Sequence, residues 1–141
     1  MNNGKTHTFP GQFSSLAAIG ECVARAAETA GLDARAVYAV RMAVDEACTN
    51  IIEYAYGGEG RGDIECTCHI DDEGLTIVLH DQGRPFDPES VPEPDRDATI
   101  QECKIGGLGL YFMRQLMDKV HFEFTDSGNT LTMVKRKETT S

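Results

Sequence analysis

A chain of 141 residues with 23 acidic against 13 basic side chains carries a net charge of −10, a field that repels nucleic-acid phosphates and argues against direct DNA or RNA binding. Its length and 40% apolar share suit one soluble globular core, and no apolar stretch approaches the roughly 20 residues a membrane span needs. Residues 1–6 hold no apolar signal-peptide core, so a cytoplasmic protein with no membrane partner is expected.

Thr6 to Pro10 reads as a short edge strand that proline ends. Ser14 or Ser15 is placed to cap a helix running to about Ala30, with Leu16, Ile19, Val23, Ala26 or Ala27, and Ala30 on its inner face; Gly31 stops it. Asp33 caps a longer second helix with the apolar stripe Val37, Val40, Val44, Ala47 or Cys48, Ile51 and Ala55, ended by Gly57-Gly58. Glu46 and Asn50, four residues apart, share a face of that helix about opposite the stripe, and Glu53 continues it. Polar pairs at this spacing commonly just face water. Their chemistry allows more: an amide oxygen is a good ligand for a hard cation such as Mg²⁺, and a carboxylate one turn away can deprotonate an attacking hydroxyl or water.

From Asp63 to Ile70 the pattern alternates, with Ile64, Cys66, Cys68 and Ile70 on one face. The cysteines at 22, 48, 66, 68 and 103 provide neither an even disulfide framework nor a Cys-x-x-Cys pair. Buried reduced thiols are therefore expected, and a structural zinc is not. Asp71 to Gly74 turns the chain into the strand Leu75–His80, which delivers Asp81 at its end. A buried carboxylate there can accept a hydrogen bond from the amino group of adenine. Guanine offers a carbonyl instead, and each unpaired buried group costs roughly 1–3 kcal/mol. Gly83 lets the backbone approach a flat base, and Pro85 stiffens the turn.

A long loop with Pro85, Pro88, Pro92 and Pro94 follows, of the length that lids adopt. Gly106, Gly107 and Gly109, with Leu108 and Leu110 beside them, open a helix that runs to Met117. Free amides at a helix start attract phosphate, and glycine permits close approach. Arg84, Arg96, Lys104 and Arg114 lie in or near the two loops and offset the acidic field locally, with Lys104 counted among the nucleotide-binding residues. No Walker sequence exists, and Gly58, Gly60 and Gly62 follow a helix rather than a strand, which refuses a dinucleotide fingerprint. His121–Asp126 and Asn129–Lys137 complete the strands around a Ser127-Gly128 turn. Helices first and a hairpin-rich sheet afterwards predict an α+β two-layer α/β sandwich, one domain over residues 1–141 with its core at about 6–137.

In this order, Glu46-Ala-Cys-Thr-Asn50, Asp81-Gln-Gly-Arg-Pro85 and Gly106-Gly-Leu-Gly-Leu110 resemble the N box and the two glycine boxes of the GHKL superfamily (gyrase, Hsp90, histidine kinase, MutL). The likeness runs from about Thr6 to Lys137. More narrowly, the chain is similar to the anti-sigma-factor serine/threonine kinases of bacterial partner-switching systems. Pro85 stands for the second glycine of the first box, and Gly106-Gly107 for Thr-Gly in the second. The resemblance implies the Bergerat, histidine-kinase-like ATPase fold, a mostly antiparallel mixed sheet covered on one face by helices. It also implies Glu46 as catalytic base, Asn50 as Mg²⁺ ligand and Asp81 as adenine reader. Gly83 would support the base, Gly107 and Gly109 the phosphates, and residues 88–105 would be the ATP lid. A threonine near the adenine would stand at Thr130 or Thr132 in the closing strand.

What the resemblance implies is therefore a Mg-ATP-dependent serine/threonine protein kinase. It would hold a sigma factor or equivalent regulator inactive, phosphorylate a small antagonist protein on Ser or Thr, and act as a homodimer. A nucleotide-gated binding module using the same ATP site, without significant phosphotransfer, is the alternative. Histidine autophosphorylation is not expected, because His7, His69, His80 and His121 fall in or beside predicted strands.

Overall fold

The apolar periodicities become two helices laid on one face of a five-stranded sheet in the computed structural model, which describes residues 4–85 and 113–137. In chain order the elements are β1 (Lys5–Pro10), α1 (Leu16–Thr29), α2 (Ala34–Asn50), β2 (Asp63–Asp71), β3 (Gly74–Asp81), β4 (Lys119–Thr125) and β5 (Gly128–Arg136). A 3₁₀ turn, Phe13–Ser15, leads into α1, and a π-helical turn, Ile51–Ala55, extends α2. Residues 113–116 are helical. The helix expected to run to Met117 ends at residue 116, and its residues 107–112 lie outside the described residues, as do the 88–105 lid, Arg96, Lys104 and the 106–110 glycine segment.

The sheet order is β1-β2-β3-β5-β4. Every pairing among the described strands is antiparallel, and the helices cover one face of the sheet, as the α+β two-layer reading expected. β3 and β4 run in the same direction, but β5 lies between them, so they never pair. Along β3, Leu75, Ile77, Leu79 and Asp81 alternate inward, all buried. Asp81 is thus placed in the interior by strand alternation, as the last member of an apolar series.

The ends of the helices show which local signals operate. Asp33 has extended backbone, and its Oδ1 accepts from the Ala36 amide at 2.9 Å, a cap whose loss costs about 1 kcal/mol. At the end of α1, Gly31 takes φ +88°, while Leu32 N donates to Ala27 O at 3.1 Å and Gly31 N to Glu28 O at 3.0 Å, the paired bonds of a Schellman stop. The expected serine cap does not form. Ser15 already has right-handed helical backbone because the 3₁₀ turn runs straight into α1, and its hydroxyl donates instead to Pro10 O at 2.8 Å.

The core is the contact between both helices and the sheet. Ile19, Val23 and Ala27 of α1 and Val40, Val44 and Cys48 of α2 close over Ile64, Cys66, Ile77, Leu79 and Met133. Cys48 and Cys66 are buried as expected, but Cys22 and Cys68 are only half-buried. No helix among the described residues is long and apolar enough to cross a membrane.

Candidate functional site

Asp81 is 4% exposed, and its Oδ1 accepts two hydrogen bonds, from the Gly83 amide at 2.9 Å and from Asn129 Nδ2 at 2.8 Å. Burial raises its carboxyl above the ordinary carboxylate range, with the two donors and the nearby His80 working in the opposite direction. Among the described residues both bonds fall on Oδ1. Asn129 lies directly opposite Asp81 in the β3–β5 register and is itself buried. The same amide nitrogen also reaches Arg84 O at 3.1 Å and Gly83 O at 3.3 Å.

The loop after Asp81 is sewn onto the end of the second helix. Arg84 N donates to Ala55 O at 2.8 Å, Arg84 Nε to Tyr54 O at 3.0 Å, and Gln82 N to the Tyr56 hydroxyl at 2.9 Å. That hydroxyl donates in turn to Asp63 O at 2.6 Å. The accepting carbonyls belong to the π-helical turn and its exit, closed by Tyr56 N to Ile51 O at 2.9 Å. Gly83 was expected to admit a flat base. Its missing Cβ here makes room for Ala55, whose backbone carbonyl and Cβ any side chain would strike.

Ala47, Asn50, Ile51, Ala55, Asp81, Met113, Phe122, Phe124, Asn129, Thr130 and Leu131 line one small pocket. Its walls are mostly apolar, with two polar side chains converging from β3 and β5 and an amide from the end of α2. The enclosed space is about 20 Å³, room for about one water molecule. Phe122 and Phe124 are stacked with ring centroids 6.2 Å apart, and Phe124 is exposed at the rim.

Glu46 and Asn50 are both half-buried, one turn apart on α2. They flank the apolar stripe and are not opposite it: at about 100° per residue, Asn50 sits beside Ala47 and Ile51, with which it lines the pocket. Glu46 does not line that pocket; it lies close enough to the Tyr54 phenol to help raise its pKa, after burial and Glu53. Glu53 is exposed.

The structure therefore brings Asn50, Asp81 and Thr130 together and sets Gly83 behind them. Pro85 is exposed. Thr132 is not in the pocket. Thr130 touches its edge, but the Thr130 hydroxyl bonds His80 Nδ1 at 3.1 Å on the sheet face away from the helices. The polar side chain that β5 turns toward Asp81 is Asn129, not a threonine. Sequence reasoning missed it and the two phenylalanines. The signal was parity: Asn129 falls in the inward series with Leu131 and Met133, a polar residue in an apolar row.

A family model for the histidine kinase-like ATPase domain matches residues 9–135. Serine-protein kinase RsbW of Halalkalibacterium halodurans is 40% identical over 100 residues, covering 68% of this chain and 60% of that protein. RsbW of Listeria innocua is 35% identical over 113 residues, covering 77% and 71%. RsbW of Bacillus subtilis is 32% identical over 100 residues, covering 68% and 62%. In the first and last of these comparisons the chain spans less than two thirds of the relative's length. Among solved structures, that of the RsbU and RsbW domains of Rv1364c from Mycobacterium tuberculosis superposes with a TM-score of 0.64 at 14% identity, over 94% of this chain and 32% of that one. At that identity the likeness concerns the fold.

Proposed function

The chain belongs to the histidine kinase-like ATPase domain family, and from that premise we propose that it is a Mg-ATP-dependent serine/threonine protein kinase and anti-sigma regulatory factor. ATP binding comes with the domain. The observation that most supports the rest is the buried Asp81 carboxylate, held on one oxygen by Gly83 and Asn129 in an apolar pocket that Asn50 also lines. A buried carboxylate there recognises the adenine amino group and disfavours the guanine carbonyl.

No group of three His, Cys, Asp or Glu side chains among the described residues could hold a metal ion. That suits Mg²⁺, which takes few protein ligands beside phosphate oxygens and water, and Asn50 is the amide placed to provide one. When bound, the ion neutralises charge on the transferring phosphoryl group. Glu46, one turn before Asn50, is assigned the proton of the attacking Ser or Thr hydroxyl. Gly106, Gly107, Leu108, Gly109 and Leu110, with Lys104, are assigned to the phosphates, and residues 88–105 to the lid.

The kinase activity named for the RsbW relatives is carried to this chain as part of the proposal, with the whole of residues 1–141 as one domain. The partners are a sigma factor or equivalent regulator and a small antagonist protein carrying the target hydroxyl, and the protein works in the cytoplasm as a homodimer. Phosphate on the antagonist, close to −2 in charge, weakens its docking on a surface of net charge −10.

Transfer of γ-labelled phosphate from Mg-ATP to small proteins in a lysate of the source organism tests this, with Glu46→Gln beside the native protein. A labelled protein of phosphoserine or phosphothreonine type, absent with the variant, is the expected result. Absence of label together with ATP binding that Asp81→Asn abolishes would replace the kinase by a nucleotide-gated binding module.

A further inference from the structure

Away from the Asp81 pocket, the described residues include a group of three thiols between α1 and β2. Cys66 and Cys68 are both on the helix-facing side of β2, and Cys22, on α1, hydrogen-bonds Cys66 and lines one cavity with Cys68. In the β1–β2 register, Lys5 lies opposite Cys68 and His7 opposite Cys66. A cavity of about 470 Å³ opens here, lined among others by Lys5, His7, Glu21, Cys22, Arg25 and Cys68. None of the three cysteines lines the Asp81 pocket.

The three are not equivalent. Cys66 is wholly buried, whereas Cys22 and Cys68 are half-buried and reach solvent through the cavity. The Cys66 thiol donates to the Cys68 sulfur, which lowers the Cys68 pKa despite burial and pushes that of Cys66 up. Burial and the neighbouring Cys68 raise Cys22, while Arg25 and a hydrogen bond with Cys66 work in the opposite direction. Thiolate character combined with access is what selects a cysteine for oxidation.

We propose that Cys68 and Cys22 form a peroxide-sensitive pair, in which oxidation of Cys68 is followed by a Cys22–Cys68 disulfide that ties α1 to β2. In the first step the Cys68 thiolate attacks hydrogen peroxide. An S–O bond forms, the O–O bond breaks, and the departing hydroxide takes a proton to become water. The sulfur loses two electrons to the peroxide and becomes a sulfenic acid. In the second step the Cys22 sulfur attacks the Cys68 sulfur. The S–S bond forms, and hydroxide leaves with the Cys22 proton as a second water. The sum is two thiols and one peroxide giving one disulfide and two waters.

Cys66 is the donor in this scheme and not the bridging partner. It stands two residues from Cys68 on one strand, with Cα atoms about 6.7 Å apart and parallel Cβ directions, the outer limit of disulfide geometry. Cys22 approaches from a different element. Cys48 serves as an internal control, because burial pushes its thiol up to about 12.

The test is a peroxide titration of the reduced full chain, followed by non-reducing tryptic mapping. The expected product is one crosslinked species joining peptides 6–25 and 62–96 (the Arg84–Pro85 bond resists trypsin), lighter by two hydrogens, monomeric on a non-reducing gel and reversed by dithiothreitol. Cys22→Ser and Cys68→Ser each abolish it, while Cys66→Ala retains it at a lower rate. Far-ultraviolet circular dichroism of each variant verifies that it folds. A crosslink that survives Cys68→Ser but not Cys66→Ala would overturn the assignment of the pair. So would separate peptides at peroxide levels that oxidise free cysteine, or a link through Cys48 or Cys103.

Discussion

Asn129 Nδ2 lies 2.8 Å from Asp81 Oδ1, and the two residues are directly opposed where β3 and β5 meet. One amide group thus orients the buried carboxylate and, through Gly83 O and Arg84 O, holds the loop that follows it. Asn129→Ala removes all three bonds. Leaving a buried acceptor without its donor costs about 1–3 kcal/mol, so urea unfolding should show a loss of that order. Calorimetric titration should show ATP affinity falling at least about tenfold, the equivalent of 1.4 kcal/mol. Unchanged affinity in a variant that is destabilised would confine Asn129 to a structural role.

The Asp81 carboxyl makes an opposite demand on stability. Burial, only partly offset by Gly83, Asn129 and His80, sets its folded pKa above the ordinary 3.8. A group raised on folding favours the folded state in its neutral form. That contribution is complete below the unfolded pKa and is lost as pH rises through the folded one. At neutral pH the ionised Asp81 therefore works against folding. Asp81→Asn keeps an acceptor for Gly83 and Asn129 without the charge. The variant should melt no lower than the native protein at pH 7, with any advantage shrinking as pH falls toward 4 and below, while ATP binding is lost. A variant that melts well below the native protein at pH 7 would show that the ionised carboxylate stabilises the fold.

Much of this was legible in the residues themselves. The stripe through Val40, Val44, Ala47 and Ile51 and the Asp33 cap are local signals, and the observed α2 obeys them. Asp81 at a strand end followed from its place directly after Leu75–His80, and the structure adds that the strand's alternation turns it inward. What stayed hidden depends on contacts distant in sequence. The β3–β5 register, which sets Asn129 against Asp81, spans 48 positions of chain and has no local signature. The widened turn after Asn50 depends on carbonyls of Tyr54 and Ala55 meeting Arg84, thirty residues on in the case of Tyr54. Ser15 looked like a cap because a one-dimensional pattern does not show that a 3₁₀ turn precedes it.

Gly83 tests how firmly the loop must seat on that turn. A methyl group there meets the carbonyl and Cβ of Ala55, and the backbone on both sides has little room to yield. Gly83→Ala should cost about 1–3 kcal/mol, in the manner of overpacked sites. It should also weaken ATP binding, because displacing the loop strains the Gly83 amide bond to Asp81. Native-like stability and affinity would mean that the loop seats without this close approach.

Tyr56 joins three segments through one oxygen, donating to Asp63 O at 2.6 Å and accepting from Gln82 N at 2.9 Å. Tyr56→Phe keeps the ring, which packs against Gly62, and deletes only the hydroxyl. Water can reach both orphaned groups, since Asp63 and Gln82 are exposed, so the stability cost should be modest, about 0.5–1.5 kcal/mol. The nucleotide readout should be larger in proportion, because Gln82 sits between Asp81 and Gly83 and loses its anchor. ATP affinity a few-fold weaker, with faster amide exchange at Gln82, is the expected result. Exchange at Gln82 as slow as in the native protein would show that the Arg84 bonds to Tyr54 and Ala55 hold the loop without Tyr56.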